Sequence, residues 1–274
     1  MTRRAPAVSG SFYEGSADRL HAQVERCFAV NPPPAEKKTV MAGVVPHAGL
    51  VYSGHVAAAF YARVELQPRL IILCPNHTGL GSPAAINREG TWFTALGDLT
   101  IDTELADSII AHSPSLEVDD RAHLREHSLE VQLPFIQYLL PETRFVPICL
   151  GAPDFALCQE VGKAIAAGIQ AAGGWSKVGI LASTDLNHYQ DQETTLRKDQ
   201  LAIDAVLELD ARKLWDTVLR EDISMCGFIP TTTMLIAARL LGATHAELIK
   251  HATSGDINRD YKAVVGYASM EIRY

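Results

Sequence analysis

The chain has 274 residues, 47% of them hydrophobic, and a formal charge of −8 at pH 7. That apolar share supports a full-sized core, with disorder expected only near the ends. An acidic balance with no basic stripe argues against a nucleic-acid partner, because such binding rests on clustered phosphate-neutralising charge. Arg3-Arg4 is followed by Ala5-Pro6-Ala7-Val8-Ser9-Gly10-Ser11, which is not the apolar region of a secretion signal. No run approaches the roughly 20 apolar residues that a membrane helix needs. A cytoplasmic protein without membrane contact is expected.

From the amino terminus, Leu20, Val24 and Phe28 recur at helical spacing and predict a helix over 17–29, closed by Asn31-Pro32-Pro33-Pro34. Residues 39–45 form a short apolar run typical of a buried strand, 54–64 read as a helix, and 69–74 as a second buried strand. Residues 84–100 contain Arg88-Glu89-Gly90 between two short stretches and predict a hairpin. Residues 102–112 read as a helix. Residues 127–140 carry Leu129, Leu133, Ile136 and Leu140 at helical spacing, with a kink or break expected at Pro134. A third strand covers 144–150, an Ala-rich helix 155–172, and a fourth strand 177–182. Helices are expected over about 193–209, 211–220 and 231–241, and closing strands over 245–251 and 262–272.

Strands alternate with helices along the whole chain, and the strands are continuous apolar runs. This is an α/β pattern with a mostly parallel or mixed central sheet flanked by helices. No linker or repeat divides residues 1–274, which read as one domain.

Three of the strands end in histidine-bearing loops: Pro46-His47-Ala48-Gly49, Pro75-Asn76-His77-Thr78-Gly79 and Ser183-Thr184-Asp185-Leu186-Asn187-His188-Tyr189. Ligands of open parallel sheets bind beyond the carboxyl ends of the strands, so three such loops can converge. One histidine at a strand exit is ordinarily a cap or a packing group; three in equivalent positions point to a site. Gly49, Gly54 and Gly79 suit tight turns or close approach of backbone to a ligand.

Five cysteines form no CxxC pair. Cys27, Cys74, Cys149 and Cys158 lie in apolar surroundings and read as buried free thiols. Cys226 instead stands just before Pro230-Thr231-Thr232-Thr233, a helix-start pattern, where the positive helix end favours a thiolate. His127 and Glu130 fall three apart, either on one helix face near the site or in a capping box that also involves Glu126. Two imidazoles and a thiolate suit zinc, copper or iron. His188 would then be free to move protons.

These residues sit in segments that resemble the Memo family, whose prokaryotic members are called AmmeMemoRadiSam system protein B. The similar stretches are VVPHAGLVYSGHVAAAFY (44–61), LCPNHTG (73–79), REHSLEVQLPF (125–135), STDLNHY (183–189) and CGFIPTTTML (226–235). The resemblance implies the fold of class III extradiol ring-cleavage dioxygenases. It also implies a metal held by His47, His77 and Cys226, with His188 as acid–base residue and Asp185 in the same pocket. Cys226 stands where those dioxygenases have a glutamate, so ring cleavage does not simply carry over. Iron or copper is the expected ion, with zinc compatible, and a small molecule the expected substrate. AMMECR1-type and radical-SAM proteins are the partners that the family name suggests. Three functions follow: a metal-dependent oxidoreductase, a non-catalytic module binding a peptide or partner in the pocket, and a zinc hydrolase in which His188 or Asp185 activates water.

Overall fold

The structure, a computed structural model, describes residues 3–274. Its centre is built from the largely apolar strands Arg144–Leu150, Arg69–Pro75, Val178–Ser183 and Ala42–Val45, side by side in that order and parallel to one another. Val264–Arg273 continues the sheet antiparallel to Ala42–Val45, and His245–Thr253 pairs antiparallel beyond it. On the other side, Gly97–Ile101 joins Arg144–Leu150 in parallel. The result is a large mixed sheet flanked by helices.

Such unbroken apolar strands make sense only when both faces of the sheet are covered, because side chains alternate between them. Along Arg69–Pro75, Ile71 and Leu73 pack into one buried cluster, while Leu70, Ile72 and Cys74 pack into the other. The first cluster lies under the helices Phe155–Ala171 and Phe228–Leu240 and includes Ile165 and Leu235. The second lies under Leu50–Arg63 and includes Phe60 and Tyr61. Cys27, Cys74, Cys149 and Cys158 are buried free thiols, as their surroundings predict. Among the described residues, no helix is long and apolar enough to cross a membrane.

Several elements differ from the sequence pattern, each for a local reason. The expected hairpin over 84–100 turns at Ala95-Leu96 rather than at Arg88-Glu89-Gly90, pairing Thr91–Thr94 with Gly97–Ile101. Ala84–Ile86 is wholly buried and pairs antiparallel with Ile148–Leu150 instead. The stretch 127–140 is not one helix. A 3-10 turn, Glu130–Gln132, leads into a helix only at Leu133–Leu139, where Pro134 sits in the first turn and its missing N–H costs nothing. The helix expected at 54–64 begins earlier, at Leu50, and that expected from 231 begins at Phe228.

Candidate metal centre and its cavity

His47, His77 and Cys226 come from separate loops and meet at one edge of the sheet. Val178–Ser183 lies between Ala42–Val45 and Arg69–Pro75 and runs parallel to both, so all three strands deliver the residues after their carboxyl ends to the same place. His47 follows the first, His77 the second, and Asp185 and His188 the third. Cys226 enters from the turn before helix Phe228–Leu240. One donor atom from each of His47, His77 and Cys226 lies within 4.8 Å of the other two. Cys226 Sγ is 3.3 Å from His47 Nε2.

Each histidine is gripped through Nδ1. Ser183 Oγ donates its only proton to the Ser128 carbonyl at 2.6 Å. It therefore accepts from His47 Nδ1–H at 3.0 Å, as it does from Gln132 Nε2 at 2.9 Å. Gln132 is itself fixed, donating to the Pro46 carbonyl at 2.9 Å and accepting from the Tyr61 hydroxyl at 3.0 Å. His77 donates Nδ1–H to Glu126 Oε1 at 2.9 Å and its backbone N–H to Oε2 at 2.6 Å. His188 donates Nδ1–H to the Ser224 carbonyl at 2.9 Å. All three line one cavity of about 760 Å³, and in the neutral tautomer that this hydrogen bonding selects, each has Nε2 as its free lone pair. Fixing the tautomer of a ligating histidine through its other nitrogen is how proteins prepare a metal donor.

The electrostatics follow from burial. Burial holds His47 well below the ordinary histidine range, and the neighbouring His127, His77 and His188 reinforce this. Burial would raise Glu126, but hydrogen bonds from His77 and Ser128 and the His77 charge outweigh it and hold the carboxyl at about 2. Burial raises Asp185 to about 6 against the pull of the His47 and Ala48 amides. The thiolate expected at Cys226 from the helix start is not favoured by the protein alone. Burial, and secondarily the Asp185 charge, push this thiol far above its ordinary range. A bound cation reverses that preference, because a coordinating thiol loses its proton. Two imidazole lone pairs and one thiol are a borderline-to-soft donor set, and their spacing is of the order spanned by metal–ligand bonds of about 2.0–2.3 Å. The residues fit zinc, copper or iron.

The remaining residues of the stretch 183–189 are divided between the cavity and its scaffold. Asp185 Oδ1 accepts from the backbone N–H of His47 at 2.8 Å and of Ala48 at 3.3 Å, clamping the His47 turn, while Asp185 N–H donates to Cys226 Sγ at 3.3 Å. Thr184 Oγ1 accepts from Gly227 N–H at 2.8 Å. Gly227 must be glycine for this approach, since a Cβ there would lie 2.4 Å from Thr184 Cβ and 2.6 Å from the Ser183 carbonyl. Asn187 accepts from Ser224, and its N–H donates to buried Asp199, which ties down the His188 strand. Gly54, by contrast, packs against Cys27 inside its helix and does not touch the cavity.

His127 and Glu130 do not act as a pair. His127 lines the cavity, stacked on His77 at 4.7 Å between centroids and edge-on to His47 at 5.5 Å. Glu130 points away and anchors the amino-terminal segment, accepting from Arg4 Nη1 at 2.6 Å, Tyr13 Oη at 2.7 Å and Ala7 N–H at 2.7 Å. The group that orients His77 is Glu126, to which the sequence pattern offered only a capping role. Its signal was the adjacent REHS stretch, whose Ser128 closes back on Glu126 Oε1 at 2.6 Å. Glu126 also forms a second donor cluster with His77 and His127.

The Memo-like protein family model matches residues 4–271. MEMO1 family proteins of Caldivirga maquilingensis and Methanosarcina mazei are 42% and 40% identical to the chain, each covering 98% of it and 99% of their own length. The MEMO1 family protein of Methanothermobacter thermautotrophicus is 37% identical, with 97% of this chain and 99% of its own covered. The crystal structure of an uncharacterized protein from Escherichia coli K12 superposes with a TM-score of 0.56 over 84% of this chain and 98% of that one, at 10% identity, a likeness of fold. Matched by the family model over nearly its whole length, and by relatives end to end, this chain belongs to the Memo family.

Proposed function

We propose that the chain is a metal-dependent oxidoreductase that holds iron or copper on His47, His77 and Cys226 and transforms a small molecule in the adjoining cavity. The observation that carries this reading is the convergence of two tautomer-fixed Nε2 atoms and one sulfur at the edge of a ligand-sized cavity. Bound there, iron or copper would supply one-electron chemistry. His188, outside that donor set and held through Nδ1 by the Ser224 carbonyl, takes a proton from the substrate at Nε2 and returns it later. Asp185 keeps the His47 turn in place and, raised to about 6 chiefly by burial, can exchange a proton near neutrality. The likeness to extradiol dioxygenases and the AMMECR1-type and radical-SAM partners are carried by the family resemblance alone, and a cytoplasmic location by the sequence pattern alone.

The test is bound metal by plasma mass spectrometry on protein purified without oxygen or affinity-tag metals, beside His47→Ala and Cys226→Ser. Near-stoichiometric iron or copper, lost in both variants, is expected, together with oxygen uptake that disappears in His188→Ala while metal is retained. Zinc with no oxygen uptake moves the function to hydrolysis. A chain that takes up no metal even after reconstitution leaves the cavity as a binding module.

A further inference from the structure

Away from the metal donors, a second recess of about 440 Å³ lies between the carboxyl end of helix Ala17–Ala29, helix Leu50–Arg63 and strand His245–Thr253. We propose that this groove binds an amphipathic organic anion, whose carboxylate or phosphate head meets Lys250 and Arg26 and whose aliphatic body lies over Val30, Val51 and Ile257. The groove is distinct from the cavity at His47: Leu50 and Val51 line the groove, whereas Gly49 and Tyr52 line the cavity. Its size is that of a small-molecule site.

The first ground is positive charge without a counter-charge. The chain carries −8 overall, yet no aspartate or glutamate lines the groove among the described residues. Lys250 and Arg26 both line it, and neither makes an ion pair among the described residues. Their neighbours Lys38 and Arg63, by contrast, are paired with Glu247 and Glu271. Burial lowers the Lys250 pKa, and no carboxylate pulls it back. A partly desolvated ammonium without a partner is costly, and a bound anion removes that cost. Asp256, whose charge reaches His55, is engaged elsewhere, its Oδ2 accepting from Thr253 N–H at 2.8 Å.

The second ground is that the head position is held in place. Lys250 Nζ donates to Asn31 Oδ1 at 3.0 Å, and Asn31 Nδ2 donates to the carbonyls of Cys27 at 3.0 Å and His55 at 2.7 Å. One amide thus ties both helices to the strand and steadies the ammonium, which keeps two further N–H donors for a ligand. The same asparagine covers helix-end carbonyls that would repel an anion, taking that of Phe28 through its backbone N–H at 2.8 Å. Beside this head the wall turns aliphatic. Val30, Val51 and Ile257 are 62%, 65% and 41% exposed. Branched aliphatics scattered singly on a surface need no explanation, but three gathered on one recess mark a binding groove.

The experiment is calorimetric titration of the full chain, metal-free and reconstituted with ferrous iron without oxygen, using octanoate, octyl phosphate and 1-octanol. These share one tail and differ in the head. At least one anion should bind at least about tenfold more tightly than 1-octanol, and equally in both forms of the protein. The tighter of the two anions identifies the head. Lys250→Gln and Arg26→Gln should each weaken that anion at least about fivefold, and Val51→Asp should do so too by placing a like charge in the groove. Arg26 and Val51 are exposed, so these two variants test the groove without disturbing the core. Binding of 1-octanol as tight as that of both anions overturns the proposal, as does undiminished anion binding in folded protein carrying Lys250→Gln and Arg26→Gln together. Failure of both anions to bind at millimolar concentration also overturns it. Anion binding that requires iron places the anion at the metal centre and overturns it as well.

Discussion

Cys226 Sγ lies 3.3 Å from His47 Nε2, although 179 residues separate them in the chain. The contact depends on supports at both ends. On one side Ser183 holds His47 by Nδ1; on the other, Gly227 tucks under Thr184 and brings the cysteine in. Neither support is itself a donor to the site, so both can be tested without touching the donor atoms.

Ser183→Ala removes the acceptor for His47 Nδ1 and for one Gln132 N–H. Leaving these buried donors unpaired should cost about 1–3 kcal/mol in stability. Metal affinity should fall about 10–100-fold, the usual consequence of losing an orienting partner. Chelator-competition titration and thermal unfolding measure the two effects. Unchanged affinity in a folded Ser183→Ala protein would mean that His47 is oriented by something else.

Gly227→Ala forces a methyl group into backbone and the Thr184 side chain. Overpacking of this kind costs about 1–3 kcal/mol. The displaced turn carries Cys226 with it, so metal content should drop toward that of Cys226→Ser. A Gly227→Ala protein with full metal content would show that the turn can shift without moving the sulfur.

Glu130→Gln separates the scaffold from the site. It removes the charge that faces buried Arg4 and accepts from Tyr13, and breaking one partner of a buried ion pair costs about 3–5 kcal/mol. The expected result is a markedly lower unfolding temperature with metal stoichiometry unchanged at permissive temperature. Loss of metal from folded Glu130→Gln protein would contradict the division of labour between Glu126 and Glu130.

Acid stability should depend on Asp102. This buried carboxylate caps helix Thr103–Ile110 through Leu105 N–H and pairs with Arg69. Burial works to raise its pKa, but the Arg69 hydrogen bond and the Leu105 amide prevail and lower it. A folded-state pKa below the unfolded value gives stability that is present above the unfolded pKa, about 3.9, and lost as pH falls through the depressed one. Asp102→Asn should therefore be less stable at neutral pH by about 1.5–3 kcal/mol, the net worth of charged hydrogen bonds. The gap to wild type should close as pH falls below about 4. Denaturant unfolding at several pH values checks this, and a gap that widens in acid would reverse the sign.

Much of the fold is legible in the sequence because its signals are local. The runs at 145–150 and 70–74 are apolar at every position, a pattern that suits a strand covered on both faces, and the structure has them within the strands Arg144–Leu150 and Arg69–Pro75. Leu20, Val24 and Phe28 announced a helix whose observed bounds are Ala17–Ala29. The topology rule for parallel strands brings the histidine loops to one edge. The tertiary structure alone decided which side chains hold them. Ser183, Glu126 and Gln132 carry no periodic signature; each acquires its role through hydrogen bonds to residues far off in the chain, such as those spanning 136, 49 and 51 positions. The same holds for the hairpin turn, where burial of Ala84–Ile86 against Ile148–Leu150 overrode a local turn signal. At Cys226, burial outweighed the helix end. Periodicity reports what a residue does with its neighbours in sequence. Tautomers, burial and charge are set by neighbours in space.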